Sequence, residues 1–218
     1  MSELAESIRT ALASAADPQR APGQQAYMKS ALPFYGVALP EVRRLTKAAA
    51  GRTDAAALRA TAMELWDEAS RREERYAAMH LLGLRALRAD PAVVPIVEHM
   101  VRAGQWWDIT DELARRLAEA LDARPLETTM LVREWSVDGD FWVRRVAILS
   151  QLGRRDRVDP VLLATVIEPN TGDSEFFIRK AIGWALRDYA RVAPEWVRDY
   201  VDSVQLSPLS RREALKHL

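Results

Sequence analysis

The chain has 218 residues, about half of them apolar, with 31 basic and 31 acidic side chains and no cysteine. That length fits one large domain or a short repeat array with a sizeable core. The missing cysteines exclude disulfides, thiolate metal sites and thiol nucleophiles, and a formal net charge of zero argues against a uniformly basic nucleic-acid-binding coat.

Residues Met1–Thr10 carry acids and no apolar run of signal-peptide length, and no later stretch reads as a bilayer span. A soluble, cytoplasmic protein without membrane contact is therefore expected. Almost all the basic charge is arginine, which favours forked contacts to phosphate or carboxylate.

In chain order, Leu4, Ile8 and Leu12 mark a helix over 3–16. Ala21-Pro22-Gly23 reads as a break, and 24–30 as a short helix carrying Tyr27. Residues 32–37 form a loop, and Pro40 opens a helix to about Ala50. Segments 54–68 and 71–89 are helical, and the short break between them makes them antiparallel neighbours.

From there Pro91, Pro125, Pro160 and Pro194, spaced 34, 35 and 34 apart, each open a helix pair. The first helices are 91–102, 125–136, 160–168 and 194–204; the second helices are 106–121, 140–153 and 174–191. A helix pair at this period predicts an all-α fold, an α-solenoid, with residues 1–218 as a single repeat domain. No segment alternates long enough to need a sheet.

The second helices superpose with a shift of 35: Gln105–Asp111 lies over Asp140–Val146, and that over Glu175–Ala181. One column then reads Arg75, Thr110, Arg145, Lys180, and a neighbouring one Trp107, Trp142, Phe177. Basic residues in register on successive second helices predict a stripe able to track a phosphate backbone, with acids such as Asp173 and Glu175 nearby.

Aromatic residues in a helical array are mostly core, and Trp66, Trp135 and Trp196 are read so. Trp107 lies one turn from Asp111 on the same helix face, and Trp184 lies one turn beyond Lys180, next to Gly183. For these two indoles the residues leave core and binding roles both open. Asp108 aligns with Val143 and Ile178, so it reads as a buried or half-buried structural carboxylate. His80, His99 and His217 lack metal-ligand spacing, and there is no phosphate-cradling glycine loop or serine elbow. No metal or cofactor is expected; chemistry here rests on carboxylate, arginine and aromatic groups.

Several strings carry a family resemblance from Tyr27 onward: Tyr27-Met28-Lys29; Trp106-Trp107-Asp108 with Asp111; Trp142 with Arg145, Ala147-Ile148-Leu149 and Gln151-Leu152; Phe176 through Arg187; and Leu206 through Ala214. Together they resemble the AlkD-type alkylpurine DNA glycosylases, the DNA alkylation repair enzymes built of HEAT-like repeats. The resemblance implies a concave face that grips double-stranded DNA and removes N3- and N7-alkylated purines without flipping the base. It implies that Asp111 is the catalytic carboxylate, that Trp107 and Trp184 pack against the lesion's deoxyribose, and that Arg145 contacts DNA there. It places Tyr27 at the lesion edge and Arg187 on the backbone; Lys180 joins these through the basic column. A monomer acting on the bacterial nucleoid suffices for such a reaction. Two other readings compete: a non-catalytic module for distorted or branched DNA, which has no need of the Asp111 carboxylate, and a protein-binding scaffold suggested by the neutral charge.

Overall fold

The structure, a computed structural model, describes residues 2–218, and among these every regular element is a helix. Two compact units divide the chain near Val93.

The first unit holds α1 (Glu3–Ser14), α2 (Ala21–Met28), α3 (Leu39–Ala50), α4 (Ala55–Asp67) and α5 (Arg72–Leu82). α1 starts where the Ser2 side chain accepts the Ala5 N–H, and it buries Ala5, Ile8 and Leu12, one face of a 3.6-residue period. Ala21-Pro22-Gly23 does not break the chain as the sequence suggested. It forms the first turn of α2, where proline loses nothing because that N–H has no intrahelical acceptor. α5 stops at Leu82 rather than near 89, and a single 3-10 turn, Arg85–Leu87, follows Gly83.

The loop between α2 and α3 is held by a buried carboxylate. Glu73 accepts the N–H groups of Tyr35, Gly36 and Val37 at 3.0, 2.9 and 3.1 Å. Satisfying three backbone donors offsets the cost of burying that charge. Glycine is required at 36: φ is +91° and a Cβ would lie 2.0 Å from the Asp17 carbonyl oxygen. Trp66 is core as expected, and the Arg75 guanidinium lies 4.7 Å over its ring.

The second unit contains α6 (Val93–Gly104), α7 (Trp107–Ala123), α8 (Pro125–Trp135), α9 (Phe141–Leu149), α10 (Pro160–Ile167), α11 (Phe176–Tyr189), α12 (Pro194–Ser203) and α13 (Pro208–Ala214). This is the expected succession of helix pairs. Second helices stack in a row, α7 on α9, α9 on α11 and α11 on α13. Pro125, Pro160 and Pro194 sit in first turns, whereas Pro91 lies in a turn ahead of α6, where Asp90 accepts the Ala92 N–H. α13 was legible in the sequence only as a family ending.

Links between neighbouring pairs repeat with the sequence period. Gln105 donates to Asp140 at 3.1 Å, the Gly153 N–H to Asp188 at 2.7 Å, and Asn170 to the Ser136 carbonyl at 2.8 Å. Trp135 is core, while Trp196 is half-buried and stacks on Tyr200 with centroids 5.0 Å apart. No helix among the described residues is long and apolar enough to cross a membrane.

Candidate active site

α7 begins abruptly. Gly104 ends α6, Gln105 takes a left-handed φ of +40°, and Trp106 is extended at φ −148°, ψ 151° before the helix opens at Trp107. A non-glycine residue in the left-handed region is a strained position. It allows one reversal to bring two consecutive indoles to the start of a second helix.

The two indoles part ways there. The sequence column joined Trp107 to Trp142 and Phe177, but the rings that meet are Trp106, Trp142 and Phe177. Trp106 lies 6.1 Å from Trp142 and 5.6 Å from Phe177, and those two are 4.8 Å apart. The physical reason is the backbone at Gln105–Trp106, which turns the indole ahead of the helix onto the next two helix starts. Trp107 stays outside this cluster, half-buried. Trp106 is thus the residue sequence reasoning missed; its match with Phe141 and Phe176 in the same alignment was the available signal.

Asp111, one turn after Trp107, has 12% of its side chain exposed. Arg145 of α9 grips it with two parallel bonds, Nε to Oδ1 and Nη2 to Oδ2, both 2.9 Å. This forked geometry is the strongest carboxylate pairing a protein has. The third arm of the guanidinium, Nη1, donates to the Phe177 carbonyl oxygen, and Thr110 lies 3.3 Å from Asp111 Oδ1. Burial pushes the Asp111 carboxyl up from its ordinary value; Arg145 and the Thr110 hydroxyl pull it back without cancelling the rise, and the nearby Asp108 adds to it. Asp108 itself is half-buried in the first turn of α7, as expected for a structural carboxylate.

Arg145 is 4% exposed. It holds Asp111 in place from beneath, rather than standing as an open cation. The basic column is therefore not an open stripe. Arg75 lies against Trp66 in the first unit, Arg145 is paired and buried, and Lys180 contacts Glu213 with Nζ to Oε1 at 3.1 Å. Asp173 and Glu175 are not what offsets the column: Asp173 pairs with Arg144, and Glu175 caps α11.

Trp184 is half-buried on α11, one turn from Lys180. Arg187, a turn further on, also meets Glu213, Nη1 to Oε2 at 3.0 Å. Gly183 lets α13 approach: a Cβ there would fall 2.4 Å from the Glu213 Cβ and 2.9 Å from the Ser210 carbonyl oxygen. In the first unit, Tyr27 on α2 is 74% exposed, ahead of Lys29 in the left-handed region. No group of three or more His, Asp or Glu residues suited to a metal ion occurs among the described residues.

Comparison with known proteins then places the chain. The model for "DNA alkylation repair enzyme" matches residues 8–218. A solved structure of a predicted DNA alkylation repair enzyme from Enterococcus faecalis is 30% identical, with TM-score 0.83 over 93% of this chain and 96% of that one. AlkD2 from Streptococcus mutans is 19% identical, with TM-score 0.66 over 84% of this chain and 91% of its own, a likeness of fold alone. The smu.31 protein of Streptococcus mutans UA159 is 20% identical, with TM-score 0.63 over 83% of this chain and 92% of its own, again a likeness of fold. No curated protein matches. An all-helical repeat fold and a match over nearly its whole length make this chain a member of the DNA alkylation repair enzyme family, with DNA repair as its role.

Proposed function

We propose that the protein is a monofunctional DNA glycosylase that hydrolyses the N-glycosidic bond of cationic N3- or N7-alkylated purines in duplex DNA, without swinging the base into a pocket. The observation that carries this reading is Asp111: a carboxylate one turn from a half-buried indole, fixed by a bidentate arginine and still 12% exposed.

An alkylated purine already carries a positive charge, so it leaves without a general acid. The C1′–N bond breaks with its electron pair passing to the base, which departs neutral, and positive charge develops on the sugar as in glycosidases. Asp111 stabilises that charge, orients a water toward C1′ and receives the water's proton, leaving an abasic site. The faces of Trp107 and Trp184 add cation–π contact to the same sugar. Tyr27 meets the lesion edge, and Lys180 and Arg187 take backbone phosphates.

Arg145 sets the size of the electrostatic gain. A carboxylate ~4 Å from the cationic sugar contributes ~4 kcal/mol at an effective dielectric of ~20, and an arginine behind it at ~8 Å takes back ~2 kcal/mol. The remaining ~2 kcal/mol is worth about thirtyfold in rate. The pair therefore assists a good leaving group and does too little for a neutral purine, whose departure needs a proton. That is selection by charge.

The test is single-turnover release of base from a duplex with one N7-methylguanine, comparing wild type with Asp111→Asn. Release by wild type and its near-loss in the variant, with duplex binding kept, is the expected result. The Asp111–Arg145 pair also suits a purely structural bridge between α7 and α9, the arrangement of a non-catalytic module for distorted DNA. Binding without release by either protein would favour that second reading. The reaction needs one chain and no cofactor, and its place is the cytoplasm, on the nucleoid.

A further inference from the structure

Two cations of α11 converge on one carboxylate of α13. Lys180 Nζ lies 3.1 Å from Glu213 Oε1, and Arg187 Nη1 lies 3.0 Å from Oε2. Lys180 and Arg187 are seven residues apart, two turns along one helix face, so a single carboxylate ties both ends of that face. Glu213 is the more covered partner, its side chain 14% exposed against 38% for Lys180 and 21% for Arg187. The carboxylate sits beneath and the cations above it.

Sequence and packing hold this arrangement in place. Gly183 lies between the two cations, and its missing Cβ admits the Glu213 Cβ. Ser210, on the same short helix, donates to the Arg179 carbonyl oxygen at 2.9 Å. The Lys180 contact, with weaker help from Arg187 and Lys216, holds the Glu213 carboxyl below its ordinary value, so it stays ionised at neutral pH.

A lysine has three N–H donors and an arginine five. Glu213 takes one from each, which leaves outward donors and one unit of net positive charge. That combination fits a phosphodiester, which presents a single negative charge and several acceptor oxygens. We propose that Lys180, Arg187 and Glu213 form a half-neutralised phosphate clip, in which Glu213 sets how strongly undamaged DNA is held and so tunes discrimination between lesion and normal duplex. The proposal rests on the glycosylase reading above and deepens it. Undamaged duplex is bound through its phosphates alone, whereas an alkylated site adds contacts at the base and sugar. A carboxylate that weakens only the phosphate term raises the ratio of the two affinities.

The test measures binding of the full chain to labelled undamaged duplex and to the same duplex with one N7-methylguanine, across a salt series. Glu213→Gln removes the negative charge and is expected to bind undamaged duplex roughly threefold to tenfold tighter at low salt, with the slope of log K against log salt steeper by ~0.9. Its preference for the damaged duplex falls by a similar factor. Glu213→Asp keeps the charge and is expected to keep the wild-type slope; a steeper slope in Glu213→Gln beside an unchanged one in Glu213→Asp is a contrast that a merely structural role for Glu213 would not produce. Glu213→Gln with unchanged or weaker binding and the wild-type slope would overturn the clip. Should Glu213→Gln fail to fold, Lys180→Gln/Arg187→Gln carries the test: a slope shallower by ~0.9 supports the clip, and an unchanged slope overturns it. Wild type that releases methylated base while Glu213→Gln leaves the slope unmoved sinks the clip alone. Wild type that neither binds duplex nor releases base sinks the glycosylase reading with it.

Discussion

Removing the Asp111 charge leaves Arg145 behind, and that remainder decides what a mutation shows. Under the proposed mechanism the guanidinium in Asp111→Asn still lies close to the developing cation, so the rate is expected to fall by the full ~4 kcal/mol carboxylate contribution, about a thousandfold. In Asp111→Asn/Arg145→Gln both charges go, and the loss shrinks to about thirtyfold. The double variant is thus expected to be faster than the single one in single-turnover excision; equal rates would mean that Arg145 exerts no field at the sugar. The pH profile follows from the same pair. Burial raises the Asp111 carboxyl above its ordinary value. In the proposed mechanism activity requires the ionised form, so it is expected to be lost as pH falls through that raised value, with the acid limb above the usual aspartate range. For folding the sign is opposite: a raised carboxyl favours the protonated native state, so its contribution is present at low pH and is lost as pH rises through the folded value. Excision and melting measured over one pH series separate the two effects.

At the level of elements, the approach of α13 to α11 depends on a missing side chain. Gly183→Ala puts a Cβ 2.9 Å from the Ser210 carbonyl oxygen and 2.4 Å from the Glu213 Cβ, and the backbone oxygen has no rotamer by which to move aside. Overpacking of this kind costs ~1–3 kcal/mol, against ~1 kcal/mol gained in helix propensity. Net destabilisation by urea titration is expected, together with a salt slope shifted the way Glu213→Gln shifts it, because α13 carries Glu213 away as it moves. Unchanged stability would show that α13 docks through other contacts.

At the scale of the whole molecule, zero net charge acquires a mechanism. Five arginines of the second unit are tied into pairs: Arg102 with Glu98 and Asp138, Arg144 with Asp173, Arg145 with Asp111, and Arg154 and Arg157 with Asp122. Cations held in such pairs contribute less to displacing counterions from DNA than open ones do. A protein making six to ten phosphate contacts loses roughly a thousandfold or more in affinity between ~50 and ~200 mM salt. A loss well under that is expected here, and a slope as steep as for strongly basic binders would mean that these pairs open on DNA. Single-chain action also predicts excision proportional to protein concentration and sedimentation at the monomer mass of 24.6 kDa.

The helix pairs, their period, the prolines at three of four expected first turns, and the shared face of Trp107 and Asp111 were legible in the sequence. Each is a local matter, fixed by backbone groups and side chains within a turn or two of one another. The family strings added the expectation that Asp111, Trp107 and Trp184 form the site. What only the tertiary structure decided is which residues meet across helices: Trp106 rather than Trp107 with Trp142 and Phe177, Arg145 with Asp111, Glu213 with Lys180 and Arg187. A period of 34 or 35 residues places stacked helices to within about one position, and one position on an α-helix is a rotation of about 100°. That rotation separates an open cation from one paired with a carboxylate, and it is set by packing between helices together with the backbone that leads into each helix.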